Sequence, residues 1–158
     1  MGTIERIYIA RGKRKPVERV DKASVEAGKG IVGDRYHQLA EQHLEQEMAV
    51  MENHISLVEQ EALDKFMQDH DLDYDYGDFR RSVITSGINL NALVGRQFRL
   101  GNAVLIGVEL CEPCSYLASI IHKDVLPEMA VSAGLRATVI ESGEIKAGDS
   151  LGAIESAA

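Results

Sequence analysis

Cysteine is scarce in this chain: Cys111 and Cys114 are the only two among 158 residues. So few thiols in a chain of this length exclude a disulfide framework. Long apolar runs are missing as well. A helical membrane span needs about 20 consecutive apolar residues, and no stretch comes near that, so no membrane partner is expected. Positive charge is in deficit, with 17 Lys and Arg against 25 Asp and Glu and a formal net charge of -8. Nucleic-acid binding usually needs a basic face, so no nucleic-acid partner is expected. A single basic cleft remains compatible with an acidic chain. The first residues, Met1-Gly2-Thr3-Ile4-Glu5-Arg6, lack the basic segment and apolar stretch of a secretory signal. Arg6 also stands where a myristoylation motif has Ser or Thr. The expectation is a cytoplasmic protein in a reducing compartment, where a close cysteine pair is more often chemical than structural.

What is present is ordinary for a globular protein: 45% hydrophobic and 27% charged residues, with no repeat, low-complexity tract or linker. Residues 1–158 read as a single domain able to bury one sizeable core. Strands are predicted over residues 3–10, 17–25, 55–58, 83–84, 98–100, 104–110, 135–140 and 145–154, with a hairpin turn at Gly101-Asn102. Ala62, Leu63 and Phe66 recur at helical spacing and predict a helix over 59–70. Short helices are predicted over 113–121 and 125–133, the second ended by Gly134, and one helical turn over 89–94 is closed by Gly95. Residues 38–47 are polar and fit either a loop or a short helix. Many short strands with few helices favour a barrel or a mixed α+β fold.

The sharpest motif is Cys111-Glu112-Pro113-Cys114, between an apolar strand and a predicted helix. Exposed N–H groups and the helix dipole favour thiolate over thiol at such a junction, and thiolate is the form that attacks sulfur or ligates metal. The bland alternative is a pair of buried cysteines acting as small hydrophobes. A thioredoxin-like reading fails on position, because the pair lies late in the chain among strands. A structural zinc site needs two more ligands, and the five histidines supply no second close pair in sequence. His54, His70 and His122 read as surface or internally satisfied side chains.

A second motif is Gly28-Lys29-Gly30-Ile31-Val32-Gly33-Asp34-Arg35-Tyr36-His37. Its glycine spacing matches a dinucleotide fingerprint, but no clear strand precedes it and no helix is predicted after it, so the glycines are read as turn residues. Arg35 and His37 can bind an anionic group or pair internally with acidic residues. The third is Phe79-Arg80-Arg81-Ser82-Val83-Ile84-Thr85-Ser86-Gly87. Strand alternation would put at most one of Arg80 and Arg81 in a given pocket, and Ser82, Thr85 and Ser86 offer hydroxyls to an anion. By itself this segment also reads as a solvated strand end.

In chain order, these segments resemble the MOSC family, named for the C-terminal domain of molybdenum-cofactor sulfurases. The resemblance is carried by Gly33-Asp34-Arg35-Tyr36-His37, by Val58-Glu59-Gln60-Glu61-Ala62-Leu63, and by the block from Gly77 through Arg80-Arg81-Ser82-Val83-Ile84-Thr85 to Gly95. Leu110-Cys111-Glu112-Pro113-Cys114, Gly134-Leu135-Arg136-Ala137 and Gly143-Glu144-Ile145-Lys146-Ala147-Gly148-Asp149 complete it. The resemblance implies a closed, mostly antiparallel β-barrel with short helices packed on it. It implies that Cys114 is the reactive cysteine and that Arg80 matches an arginine holding an anionic pterin. Where this chain has Ser82, the family pattern often has Asn. Relatives bind molybdenum cofactor through this sulfur and reduce N-hydroxylated compounds; the family is also proposed to carry persulfide sulfur from pyridoxal-phosphate-dependent desulfurases.

Three readings follow. In the first, Cys114 ligates molybdenum in a pterin cofactor with Arg80, Ser82, Thr85, Arg35 and His37 near its anionic groups, and a separate electron-donor protein or small reductant supplies electrons. In the second, the chain is a sulfur carrier: Cys114 accepts a persulfide from a cysteine desulfurase and Cys111 resolves or protects it. In the third, an anion-binding barrel uses Arg35 and Arg80 without turnover, and its binding survives loss of both cysteines.

Overall fold

The computed structural model describes residues 1–12, 15–46, 54–111, 115–129 and 132–154. The first strand, β1 (Gly2–Ala10), explains its own uneven sequence pattern. Ile4, Ile7 and Ile9 all enter one apolar cluster although Ile4 and Ile7 are three residues apart. A bulge between Ile4 and Arg6 shifts the register against β6 (Val83–Ser86), so the inward face is recovered after one extra residue.

Seven strands close into a barrel in the order β11-β7-β8-β9-β5-β6-β1, where β1 returns to β11. These are β5 (Ile55–Glu59), β7 (Gln97–Leu100), β8 (Ala103–Leu110), β9 (Leu135–Glu141) and β11 (Ser150–Ala153), with β1 and β6. All neighbouring pairs are antiparallel except β5 with β6. A parallel pair needs a crossover, and α2 (Gln60–Asp69) followed by the 3₁₀ turn Tyr76–Phe79 supplies it. β2 (Val17–Val20) pairs beside β1, and β3 (Lys22–Glu26) joins β4 (Gly30–Ile31) and β10 (Gly143–Lys146) in a separate three-stranded sheet.

Two apolar clusters follow from strand alternation. Leu57, Val83, Phe98, Leu105 and Leu135 fill the barrel with the β1 isoleucines. Their sequence neighbours Val58, Ile84 and Tyr8 point outward into a second cluster with Leu63 and Phe66 of α2. That outer layer also holds residues of α3 (Ser115–Ile120) and α4 (Val125–Glu128), among them Leu117 and Val125. Strands covered on both faces read as continuous apolar runs, as at Leu57-Val58 and Val83-Ile84. Among the described residues no helix is long and apolar enough to cross a membrane.

The barrel expectation holds, and several local expectations change. Where the sequence predicts one strand over residues 145–154, a turn at Gly148 (φ 95°) separates β10 from β11. Where it predicts one strand over 17–25, the chain breaks at Asp21 into β2 and β3. The predicted helix over 125–133 is α4 alone, Val125–Glu128, with residues 130 and 131 outside the description. A helix does follow the glycine motif: α1 (Arg35–Glu45) begins after Gly33, with Asp34 as its N-cap. The dinucleotide reading still fails, because β3 pairs antiparallel with both β4 and β10, and the strands on either side of α1, β4 and β5, are not paired with each other.

Candidate functional site

Asp34 organises the first side of the site. It is buried, and its Oδ2 accepts the Tyr36 N–H (3.2 Å), which caps α1. Its Oδ1 accepts the Ala10 N–H (2.8 Å), tying the helix start to the end of β1. Burial pushes its carboxyl above the ordinary range, against the lowering effect of the two N–H donors and the nearby Arg35 charge. Arg35 is thereby set in the first turn of α1, its guanidinium 4.8 Å from the Tyr36 ring centre and donating to the Tyr36 hydroxyl at 3.1 Å.

The second side comes from residues 80–82. Arg80 closes the 3₁₀ turn in a left-handed conformation (φ 64°) and its N–H donates to Gly77 O. Such a backbone is uncommon for a residue with a Cβ and clusters at functional sites. Arg81 donates its Nε to Ala133 O at 2.8 Å. Because β6 starts only at Val83, strand alternation does not govern these two arginines, and both Arg80 and Arg81 line one cleft. That corrects the expectation that only one would.

Arg35, Arg80, Arg81, Ser82 and Tyr36 thus share a narrow cleft of about 10 Å³, room for about one water. It adjoins a groove of about 230 Å³ through Val17 and Arg80. Three arginines line this one crevice together with Asp34, and arginine, with its planar fork of N–H groups, is suited to phosphate or another anion.

Other predicted residues are placed differently. Ser82 is buried and its hydroxyl lies 3.5 Å from the Ser56 hydroxyl. Thr85 is fully buried and donates to Val58 O at 3.4 Å, on the path of the β5–β6 pair and apart from the cleft. His37 is buried between two carboxylates, Nδ1 to Glu41 at 3.0 Å and Nε2 to Glu26 at 3.3 Å, and does not line the cleft. His54 is buried and satisfied, its Nδ1 accepting the Val139 N–H at 3.0 Å.

Cys111 ends the strand run of β8 and belongs to the outer apolar cluster. Burial pushes its thiol above the usual range, and the nearby charges of Arg81 and Arg136 only partly offset this. Its environment therefore favours thiol over thiolate, unlike the helix-start reading of the motif. Cys114, with Glu112 and Pro113, lies outside the described residues. Arg81 is the side chain that touches both features: it lines the cleft and acts electrostatically on Cys111. Tyr36 and Asp34 are site residues that the sequence did not single out; the Asp immediately before Arg35 was the available signal, as an N-cap type.

Comparisons with known proteins agree with this architecture. The barrel resembles the YuaD protein from Bacillus subtilis, at 19% identity over 96% of this chain and 94% of that one, with a TM-score of 0.79. It also resembles YiiM from Geobacillus stearothermophilus (16% identity, 98% of this chain, 76% of that one, TM-score 0.73) and YiiM from Escherichia coli (17%, 99%, 71%, 0.70). These likenesses concern the fold. No curated protein sequence matches the chain significantly. The family model for the MOSC domain matches residues 27–152, from the glycine motif through the final barrel strand, and the chain therefore belongs to the MOSC domain family.

Proposed function

We propose that the chain binds an anionic pterin-type molybdenum cofactor, with Arg35, Arg80 and Arg81 holding its anionic part and the Cys114 sulfur as the protein's ligand to the metal. The observation that carries this reading is the meeting of three arginines on one cleft, with the Arg81 charge also acting on Cys111. A thiolate is a soft ligand suited to such a metal, and the bound group would supply two-electron redox chemistry. This chain's own contribution is charge. The arginines neutralise the anion, Tyr36 fixes the Arg35 guanidinium, and the buried Asp34 holds the helix start that presents it. Cys111, whose thiol form is favoured by burial in the outer apolar cluster, is not the metal ligand in this reading. N-hydroxylated compounds are the substrate class under this reading, with electrons from a separate donor protein.

Elemental analysis tests it. Protein made in a molybdenum-replete host should copurify with molybdenum, Cys114→Ala should lose it, and Arg80→Gln with Arg81→Gln should reduce it. Absence of molybdenum from the wild-type protein under those conditions overturns the reading.

One observation favours a second reading, the sulfur carrier. The innermost cleft, at about 10 Å³, suits a small anion better than a large one. Cys114 thiolate would attack the outer sulfur of a persulfide on a pyridoxal-phosphate-dependent desulfurase. The S–S bond breaks, the desulfurase cysteine leaves as thiolate, and the new persulfide anion is stabilised by arginine. Mass spectrometry after incubation with a desulfurase and cysteine should show one added sulfur on Cys114, and an unmodified Cys114 refutes it.

A further inference from the structure

Away from the arginine cleft, His70 at the end of α2 meets three side chains from in and around α4, His122, Asp124 and Glu128. His70 is the C-cap of α2, His122 lies between α3 and α4, Asp124 is the N-cap of α4 and Glu128 is its last residue. The two imidazoles pack tilted against each other at 38°, with ring centres 4.5 Å apart, and Phe66 packs 4.7 Å from His70. His70 is mostly buried, while Asp124 and Glu128 stay partly open to solvent.

The hydrogen bonds assign the ring tautomers. His70 Nε2 bonds to the Glu128 carboxylate, which can only accept, so Nε2 carries a proton and Nδ1 is the nitrogen left to bind a metal. His122 Nδ1 accepts the Asp124 N–H at 3.1 Å, so it too is the bare nitrogen. Both bare nitrogens approach one oxygen: Asp124 Oδ2 lies 3.9 Å from His70 Nδ1 and 3.7 Å from His122 Nδ1. Three potential donor atoms, two imidazole nitrogens and a carboxylate oxygen, thus converge, with the His122 nitrogen held meanwhile by the Asp124 N–H.

We propose that His70, His122 and Asp124 form a binding site for a divalent transition metal of the zinc class, with Glu128 orienting His70 from behind. Nitrogen and carboxylate donors are the ligand chemistry that zinc takes, and three protein ligands leave a fourth position to water. A histidine that donates its second ring N–H to a carboxylate is the usual support of a metal-ligating imidazole. The donor atoms lie within 4.8 Å of one another. Tetrahedral zinc with bonds of about 2.0–2.2 Å requires separations of roughly 3.3–3.6 Å. The two nitrogen–oxygen distances to Asp124 need a few tenths of an ångström of closure, and the widest pair of donor atoms up to about 1.5 Å, a movement that side-chain rotation at Asp124 and His122 can supply. Ligation replaces the Asp124 N–H bond to His122. The metal would fasten α2 to the helical segment that follows Cys114 in the chain, giving that segment a tether independent of any group at the arginine cleft.

The test uses full-length, untagged protein freed of metal by a chelator. Zinc titration calorimetry should give one equivalent, and cobalt substitution should give a weak visible band without the near-ultraviolet charge-transfer band of a thiolate ligand. His122→Ala and Asp124→Asn should each weaken zinc binding at least about 10-fold, and Glu128→Ala by roughly 10- to 100-fold. Zinc at a hundred times its Kd should raise Tm by roughly 5–10 °C. Asp124→Asn is a partly exposed, near-isosteric change, so it reports on ligation even if His122→Ala folds poorly. Absence of zinc binding, an intense thiolate band, or a stoichiometric site indifferent to Asp124→Asn overturns the proposal.

Discussion

Asp34→Ala is the most informative single substitution for the way this sequence holds its site. The carboxylate does two jobs at once, capping α1 through Tyr36 N–H and satisfying the buried Ala10 N–H. Loss of an N-cap costs about 0.5–2 kcal/mol. A buried N–H left without an acceptor costs about 1–3 kcal/mol more. Relief of the buried charge, evident in the raised carboxyl, offsets part of this, so the net loss should be about 2–3 kcal/mol. For a domain of this size that is a fall in Tm of roughly 4–12 °C. Asp34→Asn keeps one acceptor oxygen for two donors and should fall between wild type and alanine. The pH dependence has a definite sign. A carboxyl whose folded value is raised keeps its proton longer in the folded chain than in the unfolded one. Its contribution is therefore full below the unfolded value, about pH 4, and declines as pH rises through the folded value. The Tm gap between wild type and Asp34→Asn should accordingly narrow with rising pH across that window. Circular dichroism melts at a series of pH values measure both effects. An alanine variant within about 0.5 kcal/mol of wild type, or a gap that widens with pH, would refute the reasoning.

Further perturbations probe other parts of the molecule. Gly134 sits at φ 123° with an added Cβ only 2.1 Å from Leu57 O, so Gly134→Ala should cost about 2 kcal/mol or more in urea unfolding. Phe98 is fully buried inside the barrel, and Phe98→Ala should lose about 3–5 kcal/mol by the same measurement. In Cys114→Ala, the remaining Cys111 thiol should resist iodoacetamide at pH 7, and its labelling should rise only above the ordinary thiol range near about pH 8.5 or on unfolding. Fast labelling of native Cys111 at neutral pH would contradict its burial.

The barrel was legible because its strands carry their own pattern: Leu57-Val58 and Val83-Ile84 are apolar on both faces, and Gly101 marks the β7–β8 hairpin with φ 57°. α1 was not legible, because among its described side chains only His37 and Ala40 are buried, and one of those is polar. A helix that buries so little leaves no apolar stripe to read. The pairing of Arg80 with Arg81 was misjudged because a left-handed residue at the end of a 3₁₀ turn escapes strand alternation. The meeting of Arg35 with residues 80–82 could not be read from sequence, since only the β1–β6 pairing brings the two segments together. The same holds for His70 and His122, which are neighbours only because α2 and α4 pack on one outer layer.

The first strand meets the last: Gly2 is opposite Leu151, and Leu151 in turn is opposite Leu100. During synthesis, therefore, the residues that shut the cylinder emerge long after those they must join. Until β11 is made, the Gly2–Thr3 end of β1 and one margin of β7 stay without partners, and unpaired margins invite wrong association. For such a chain the hazardous interval is the wait for β11, and a deletion of Ser150–Ala153 should harm solubility far more than its length suggests.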